Sequence, residues 1–280
     1  MKPAVDALIV NYNAGDWLAR CATSLVAQVR RIIVVDNAST DGSLSGLPAS
    51  AEVIRNGANR GFAAALAQAA ESSDAPAVLL ANPDLHVAPG AVAAMVDVLD
   101  GQPSAGIVGA RVLDPDGSDQ RAGRRRTPTP ARAAVAMLGL DRLGGEGVEI
   151  REPVPGAPVT VDAVSGALVL VRRTCWDALE GYDPGYFLHC EDLDFFRRAA
   201  DAGWSTWYQP AARAEHVKGV SQRGRSRLSE RHKRDGMIRY FRRFDAATMG
   251  SLPAAAWVLL IRLHYLLRLP LLAWRDRRSR

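Results

Sequence analysis

The chain has 280 residues, 48% of them hydrophobic, with 35 Lys and Arg against 30 Asp and Glu. Such a chain can bury a sizeable core as one large domain or two small ones, and its interleaved charges exclude disorder over most of its length. Cys21, Cys175 and Cys190 have neither disulfide-framework nor zinc-site spacing, which favours a reduced, cytoplasmic setting.

The N-terminal MKPAVDALIVNYN runs directly into strand pattern, without a signal-peptide h-region. DALIV (6–10) predicts a first strand, and GDWLARCATSLVAQV has helical spacing. RIIVVDN is a second, β-branched strand and AEVIRN a weaker third. An alanine-rich helix (GFAAALAQAAESS), a fourth strand (AVLLAN), a helix opened by Pro89 and a fifth strand (AGIVGARVL) follow. Residues 121–158 break the pattern, being rich in Arg, Pro and Gly with one short helix at 131–138, as a functional lid or a loop would be. VTVDAVSGALVLVRR returns to strand pattern. TCWDALEG and EDLDFFRRAADAGW are helices ended by glycine, and STWYQP is the last strand. Alternation of this kind implies an α/β fold with a mostly parallel sheet covered on both faces.

In such sheets ligands sit beyond the carboxyl ends of the strands. The polar loops NYN (11–13), DNASTDG (36–42), NGANRG (56–61) and NPD (82–84) each follow a strand and so share that edge. Asn, Asp and Gly favour turns in any case, but four such loops on one edge favour a nucleotide-type site. Neither GxGxxG nor GxxxxGK[ST] is present, so the phosphates of a bound nucleotide need another counter-charge. A divalent cation, Mg²⁺ or Mn²⁺, held by Asp84 at the end of the fourth strand would supply it.

Glu191 and Asp192 stand where the aromatic approach GYFLHC turns into a helix. An adjacent acidic pair there suits either a general base or favourable placement at the positive end of the helix dipole, and spacing alone does not choose. His216 follows the last strand, and it matters to the chemistry only if the fold brings it to Asp84.

Taken together, LIVNYN, IIVVDNASTDGS, NRGFAAALAQA, LLANPD, VSGALVLVRR, GYDPGYFLHCEDLDFFRRAADAGW and AEHVKGVS, in that order, resemble the inverting family-two glycosyltransferases of the GT-A fold, particularly bacterial rhamnosyltransferase-type members. The resemblance covers residues 4 to about 245. It implies a Rossmann-like domain over 1–245, with a nucleotide-sugar half at about 1–115, an acceptor half at about 155–245, and a C-terminal helical tail at 246–280. By that resemblance Asn11, Tyr12, Asp36, Asn37, Asn59 and Arg60 bind the donor nucleotide, and Asn82 and Asp84 stand in place of the family's Asp-x-Asp. Asp84 and His216 are then the metal-side residues, Asp192 the catalytic base and Glu191 the residue that orients the acceptor. Asn82 replaces an acid, so weak or exchangeable metal binding is expected. The implied donor is dTDP- or UDP-linked, with rhamnose from dTDP-rhamnose favoured. The acceptor that the resemblance implies is a cell-surface or lipid-linked glycan.

Two rivals are weighed against this reading. A sugar-nucleotide pyrophosphorylase would want a Gly-rich phosphate loop near the N-terminus. A nucleic-acid-binding module would use the ten Lys and Arg of 218–244 and have no need of the carboxylates.

The tail AAAWVLLIRLHYLLRLPLLAW (254–274) has too short an uncharged stretch (251–261) for a span of ~20 residues. Arg262 and Arg268 point ~120° apart on a helical wheel, so it is not a clean amphipath. Packing on the domain or on a second subunit is one reading. An interfacial helix is the other, and the basic run at 218–244 tips the balance towards peripheral contact with the inner face of the plasma membrane.

Overall fold

The computed structural model describes residues 3–217 and 226–278. Residues 218–225, the start of the basic run and of the KGVS motif, lie outside the described residues, as do 279–280. The order is β1 (Val5–Asn11), α1 (Trp17–Leu25), β2 (Arg31–Asp36), β3 (Ala51–Arg55), α2 (Phe62–Glu71), β4 (Ala77–Ala81), β5 (Leu85–Val87), α3 (Ala91–Gly101) and β6 (Ala105–Leu113). Then come β7 (Arg124–Arg125), α4 (Pro130–Met137), a 3₁₀ turn (Leu140–Leu143), β8 (Val159–Val161), β9 (Ala163–Val164), β10 (Leu168–Arg172), α5 (Arg173–Ala178), α6 (Glu191–Asp201) and β11 (Ser205–His216). Three helices close the chain: α7 (Ser226–Phe244), α8 (Ala246–Met249) and α9 (Ser251–Arg278).

The main sheet runs β3-β2-β1-β4-β10-β6-β11-β5, with β8 beside β11. β1, β2, β3, β4, β6 and β11 run one way, and β5, β8 and β10 run against them, so the sheet is mixed and mostly parallel. Every residue of β1 is buried, as a strand covered on both faces requires. Its side chains alternate: Val5, Ala7 and Ile9 join Leu18, Leu25, Val92 and Met95 of α1 and α3 on one face. Leu8 and Val10 join Leu66, Trp176, Phe195 and Phe196 of α2, α5 and α6 on the other.

Three differences from the sequence reading have physical causes. β11 continues to His216 instead of stopping at Pro210, because a register shift against β6 between Gln209 and Arg213 absorbs the proline. His216 is therefore the last residue of a strand. β5 directly follows the NPD turn and does not show in the sequence, since three residues are too short to show a period. The segment 121–158 is largely irregular with one short helix as expected, but its two-residue strand β7 pairs with β9 and so anchors Arg125.

Asp6, fully buried, ties the edge of the sheet away from the polar loops. Its carboxylate accepts bonds from Arg30 (2.8 Å), Arg31 (3.0 Å) and Ser73 (2.8 Å). Burial alone would raise its pKa, but these donors outweigh burial and hold it at about 2. Asp6→Asn should cost ~1–3 kcal/mol in urea unfolding, the scale of lost bonds to a buried charged group. A folded pKa below the unfolded one gives stability that is present above about pH 4 and lost as the pH falls towards 2. Acid titration of the wild type should show that loss, and the variant should lack it.

Candidate active site

A cavity of about 1000 Å³ opens at the carboxyl ends of β1, β2 and β4 and extends under α6 and α7. Its wall includes Tyr12, Asn37, Asn59, Asn82, Asp84, Glu191, Asp192 and His216. Asn11, Asp36 and Arg60 are not on the wall. Asn11 and Asp36 lie buried behind it, where Asn11 Nδ2 is 2.7 Å from Asp36 Oδ1 and 2.7 Å from Ser43 Oγ, so the pair braces the first two loops. Asn37 donates to the Gly61 carbonyl (3.1 Å) and accepts from Asn56 (2.9 Å), joining the second loop to the third. Asn59 accepts the Gly61 N–H (2.9 Å) and shapes the turn into α2, while Arg60 is exposed. Gly61 is required there: its φ is +87°, and a Cβ would meet the Phe187 carbonyl oxygen at 2.8 Å.

Asp84 Oδ1 lies 3.0 Å from His216 Nε2, although 132 residues separate them. His216 Nδ1 faces Gln120 Oε1 at 2.9 Å. Gln120 Nε2 donates to Asp114 (2.8 Å), and since a carboxylate only accepts, that bond fixes the amide orientation. His216 must then carry its proton on Nδ1, which turns the Nε2 lone pair towards the carboxylate. Two acceptors at 3.0 Å require a proton or a cation between them. Their spacing is also about the edge of an octahedron with ~2.1 Å bonds. Asp84 and His216 therefore fit a divalent cation that keeps its other positions for water and phosphate oxygens. Among the described residues no cluster of three or more His, Cys, Asp or Glu side chains surrounds the point, so the protein would supply few of such a cation's ligands.

Glu191 and Asp192 open α6 after two consecutive left-handed residues, His189 (φ 72°) and Cys190 (φ 70°). Such backbone is costly outside glycine and collects at functional sites. α7 holds this turn from the other side, where Gly236 has no room for a side chain against the His189 carbonyl (2.7 Å). The two carboxylates meet different surroundings. Asp192 Oδ2 pairs with Arg125 (2.6 Å), and its Oδ1 accepts the Leu193 N–H (2.8 Å). Glu191 is buried, its Oε2 has no partner among the described residues, and burial followed by the charge of Asp192 pushes its pKa up to about 8. Gly166 backs onto Asp192: a Cβ there would lie 2.9 Å from Oδ2.

Sequence reasoning missed Arg125, Gln120, Tyr182 and Lys233, all on the cavity wall. Arg125 sits in an RRR run whose only visible property is charge. Gln120 carries no motif at all. Lys233 belongs to the basic run, but nothing in its spacing aims it at a cavity.

Residues 6–149 match the family described as Glycosyl transferase family 2. Over 256 residues the chain is 31% identical to the N-acetylglucosaminyl-diphospho-decaprenol L-rhamnosyltransferase of Mycobacterium tuberculosis strain H37Rv, covering 83% of both chains. A shorter match, 34% over 80 residues and covering 29% of this chain and 28% of the other, is to rhamnosyltransferase WbbL of Escherichia coli K12. Among solved structures, the mannosyltransferase PcManGT of Pyrobaculum calidifontis with GDP-Man and Mn²⁺ superposes with a TM-score of 0.57 at 16% identity, over all of this chain and 74% of that one. GalNAc-T7 with UDP, GalNAc and Mn²⁺ gives a TM-score of 0.61 at 18% identity over 85% of this chain, which spans about half (47%) of the GalNAc-T7 chain. With this fold and these matches, the chain belongs to glycosyl transferase family 2.

Proposed function

We propose that this glycosyltransferase moves L-rhamnose from dTDP-rhamnose, with inversion, onto a lipid-diphosphate-linked glycan at the inner face of the plasma membrane. The observation that carries the chemistry is the convergence of Asp84, Asp192 and His216, distant in sequence, on one cavity large enough for a nucleotide sugar. The names of the relatives carry the sugar and the lipid-linked acceptor. Family membership sets aside the pyrophosphorylase and nucleic-acid readings. In this reading residues 1–245 form the catalytic domain and 246–280 the tail that meets the membrane.

The acceptor hydroxyl lies against Asp192, which takes its proton as the oxygen attacks the anomeric carbon. The bond from that carbon to the donor diphosphate breaks on the opposite face, and its electron pair leaves with the diphosphate. Arg125 pairs with Asp192 Oδ2 and fixes the plane of the carboxylate, while each carboxylate oxygen keeps a lone pair for the acceptor. Glu191, held neutral, donates a hydrogen bond that orients the acceptor. Tyr12, Asn37 and Asn59 line the nucleotide end, braced from behind by Asn11 and Asp36, with Arg60 at the rim. Asp84 and His216 would hold Mg²⁺ or Mn²⁺, which supplies positive charge for the leaving diphosphate.

Asp192→Asn should lower kcat by ~10²–10⁴-fold, the usual contribution of a general base, while donor affinity stays nearly unchanged. Gly166→Ala, which crowds the same carboxylate, should show the same split. Near wild-type turnover in Asp192→Asn would sink the assignment. In a thermal-shift panel of nucleotide sugars with Mn²⁺ or Mg²⁺, dTDP-rhamnose should stabilise the protein most, and chelation or Asp84→Ala should abolish that shift. Glu191 has a folded pKa above its unfolded value, so the folded state holds the extra proton, and stability should fall as the pH rises from about 4.5 to about 8. Glu191→Gln should flatten that slope in denaturant titrations across the same range.

A further inference from the structure

α7 and α9 form an antiparallel pair. Ile238 packs with Ile261 and Tyr265, and Glu230 pairs with Arg268 (3.4 Å) one end further along. At ~100° per residue, Leu252, Leu259, Leu260, Leu263, Leu266 and Leu267 fall within an arc of ~120° centred opposite that seam. All six are exposed, from 46% to 82%. The helix is therefore sorted into a packed seam and an unpartnered leucine face, a division that the two arginines obscured in the sequence. Arg268 is turned inward to Glu230, while Arg262 stands at the border of the leucine face.

That border is a basic cleft. Between α7 and α9 a hollow of about 610 Å³ is lined by Arg239, Arg242, Arg243, Arg262, Asp235 and Ile238. Arg239 and Arg243 bind Asp183 (2.8 and 3.0 Å). Asp235 pairs with Arg234 at 2.7 Å. Among the described residues neither Arg242 nor Arg262 has a carboxylate partner. Two guanidinium groups with no carboxylate partner among the described residues, beside an exposed leucine face, complement a surface that offers hydrocarbon and phosphate side by side.

We propose that α9 lies in the plane of a bilayer containing anionic phospholipid, with the leucine face embedded and the Arg242–Arg262 cleft seated on lipid phosphates. This deepens the reading of a lipid-linked acceptor by naming the surface that meets the lipid. Ser251–Pro270 is long and apolar enough to cross a membrane by length and composition, with mean hydropathy 1.4. Crossing, however, would require α9 to leave its seam or to carry α7 into hydrocarbon, with its arginines and the Glu230–Arg268 pair. Lying flat satisfies both faces at once. Another side of α7 contributes Leu228, Ser229, His232 and Lys233 to the cavity wall, and Met237 lines it next to the seam, so the site opens beside the embedded helix.

The test uses the full chain, sedimented with vesicles of phosphatidylcholine alone or of phosphatidylcholine mixed with phosphatidylglycerol. Wild type should bind the mixed vesicles much more tightly. Arg242→Ala/Arg262→Ala should lose about thirtyfold of that affinity, the scale of two cations near an anionic surface. Leu259→Glu/Leu263→Glu/Leu266→Glu should abolish binding to both vesicle types. Circular dichroism and transfer to a short water-soluble acceptor, both unchanged in these variants, show that fold and chemistry survive. Equal binding to both vesicle types overturns the proposal. So does a dimer in analytical ultracentrifugation without vesicle binding, or resistance of the membrane-bound protein to alkaline carbonate. Vesicle binding without any sugar transfer would instead sink the catalytic reading and leave the surface standing.

Discussion

Asp84 and His216 face each other across 3.0 Å, and the arrangement of the site depends on that contact. β4 delivers Asn82-Pro83-Asp84 to the rim of the sheet, and the chain then turns back as β5. β5 pairs antiparallel with the end of β11, so that His216 comes opposite Leu85. No local property of either segment would bring them together. The constraint is topological: β10 enters antiparallel between β4 and β6, which places the C-terminal strand β11 on the far side of β6, within reach of β5. Gln120 then completes the arrangement from the loop after β6 and fixes which imidazole nitrogen faces the carboxylate.

The second half of the site follows from a close approach elsewhere. Gly109 in β6 has no side chain because Val164 of β9 lies where one would be, 2.4 Å from a Cβ. β9 can therefore cross close over β6, and β7, paired with β9, carries Arg125 to Asp192. Two adjacent carboxylates thereby acquire different chemistry. Asp192 has a guanidinium and a backbone N–H, whereas Glu191 has burial and a like-charged neighbour. Neighbouring acids in different environments can take different parts in one reaction. In the proposed mechanism Asp192 is the base and Glu191 the hydrogen-bond donor to the acceptor.

Much of this was legible in the sequence because it was local. β-branched runs such as RIIVVD marked strands, and the loops NYN, DNASTDG and NPD marked the edge where the cavity lies. What stayed hidden was non-local. Asn11 and Asp36 look like ligand residues because polar side chains end strands at a binding edge, but the bond between them, one layer behind the wall, could not be read from either loop. Arg125 and Gln120 lie in a segment without periodicity, and their positions are set by a two-residue strand and a single amide–carboxylate bond. β5 was invisible for the same reason: a strand of three residues is defined by its partner. Even α9 resisted the helical wheel, since Arg268 reads as a break in the apolar face until Glu230 on another helix is seen to claim it.

α7 joins these two levels of organisation. Its Met237 lines the cavity and also packs in the cluster with Ile261 and Tyr265. Its Gly236 presses on the left-handed His189–Cys190 turn that sets the direction of Glu191 and Asp192. A helix in contact with both the turn that leads into Glu191 and Asp192 and α9 cannot shift against one without disturbing the other, because packed interiors transmit displacement with little compression. On the proposed reading this gives the enzyme a fixed distance between the membrane surface and its base. A lipid-linked acceptor, whose reactive hydroxyl stands a set number of bonds from the bilayer, is the class of substrate for which such a fixed distance selects the position of attack.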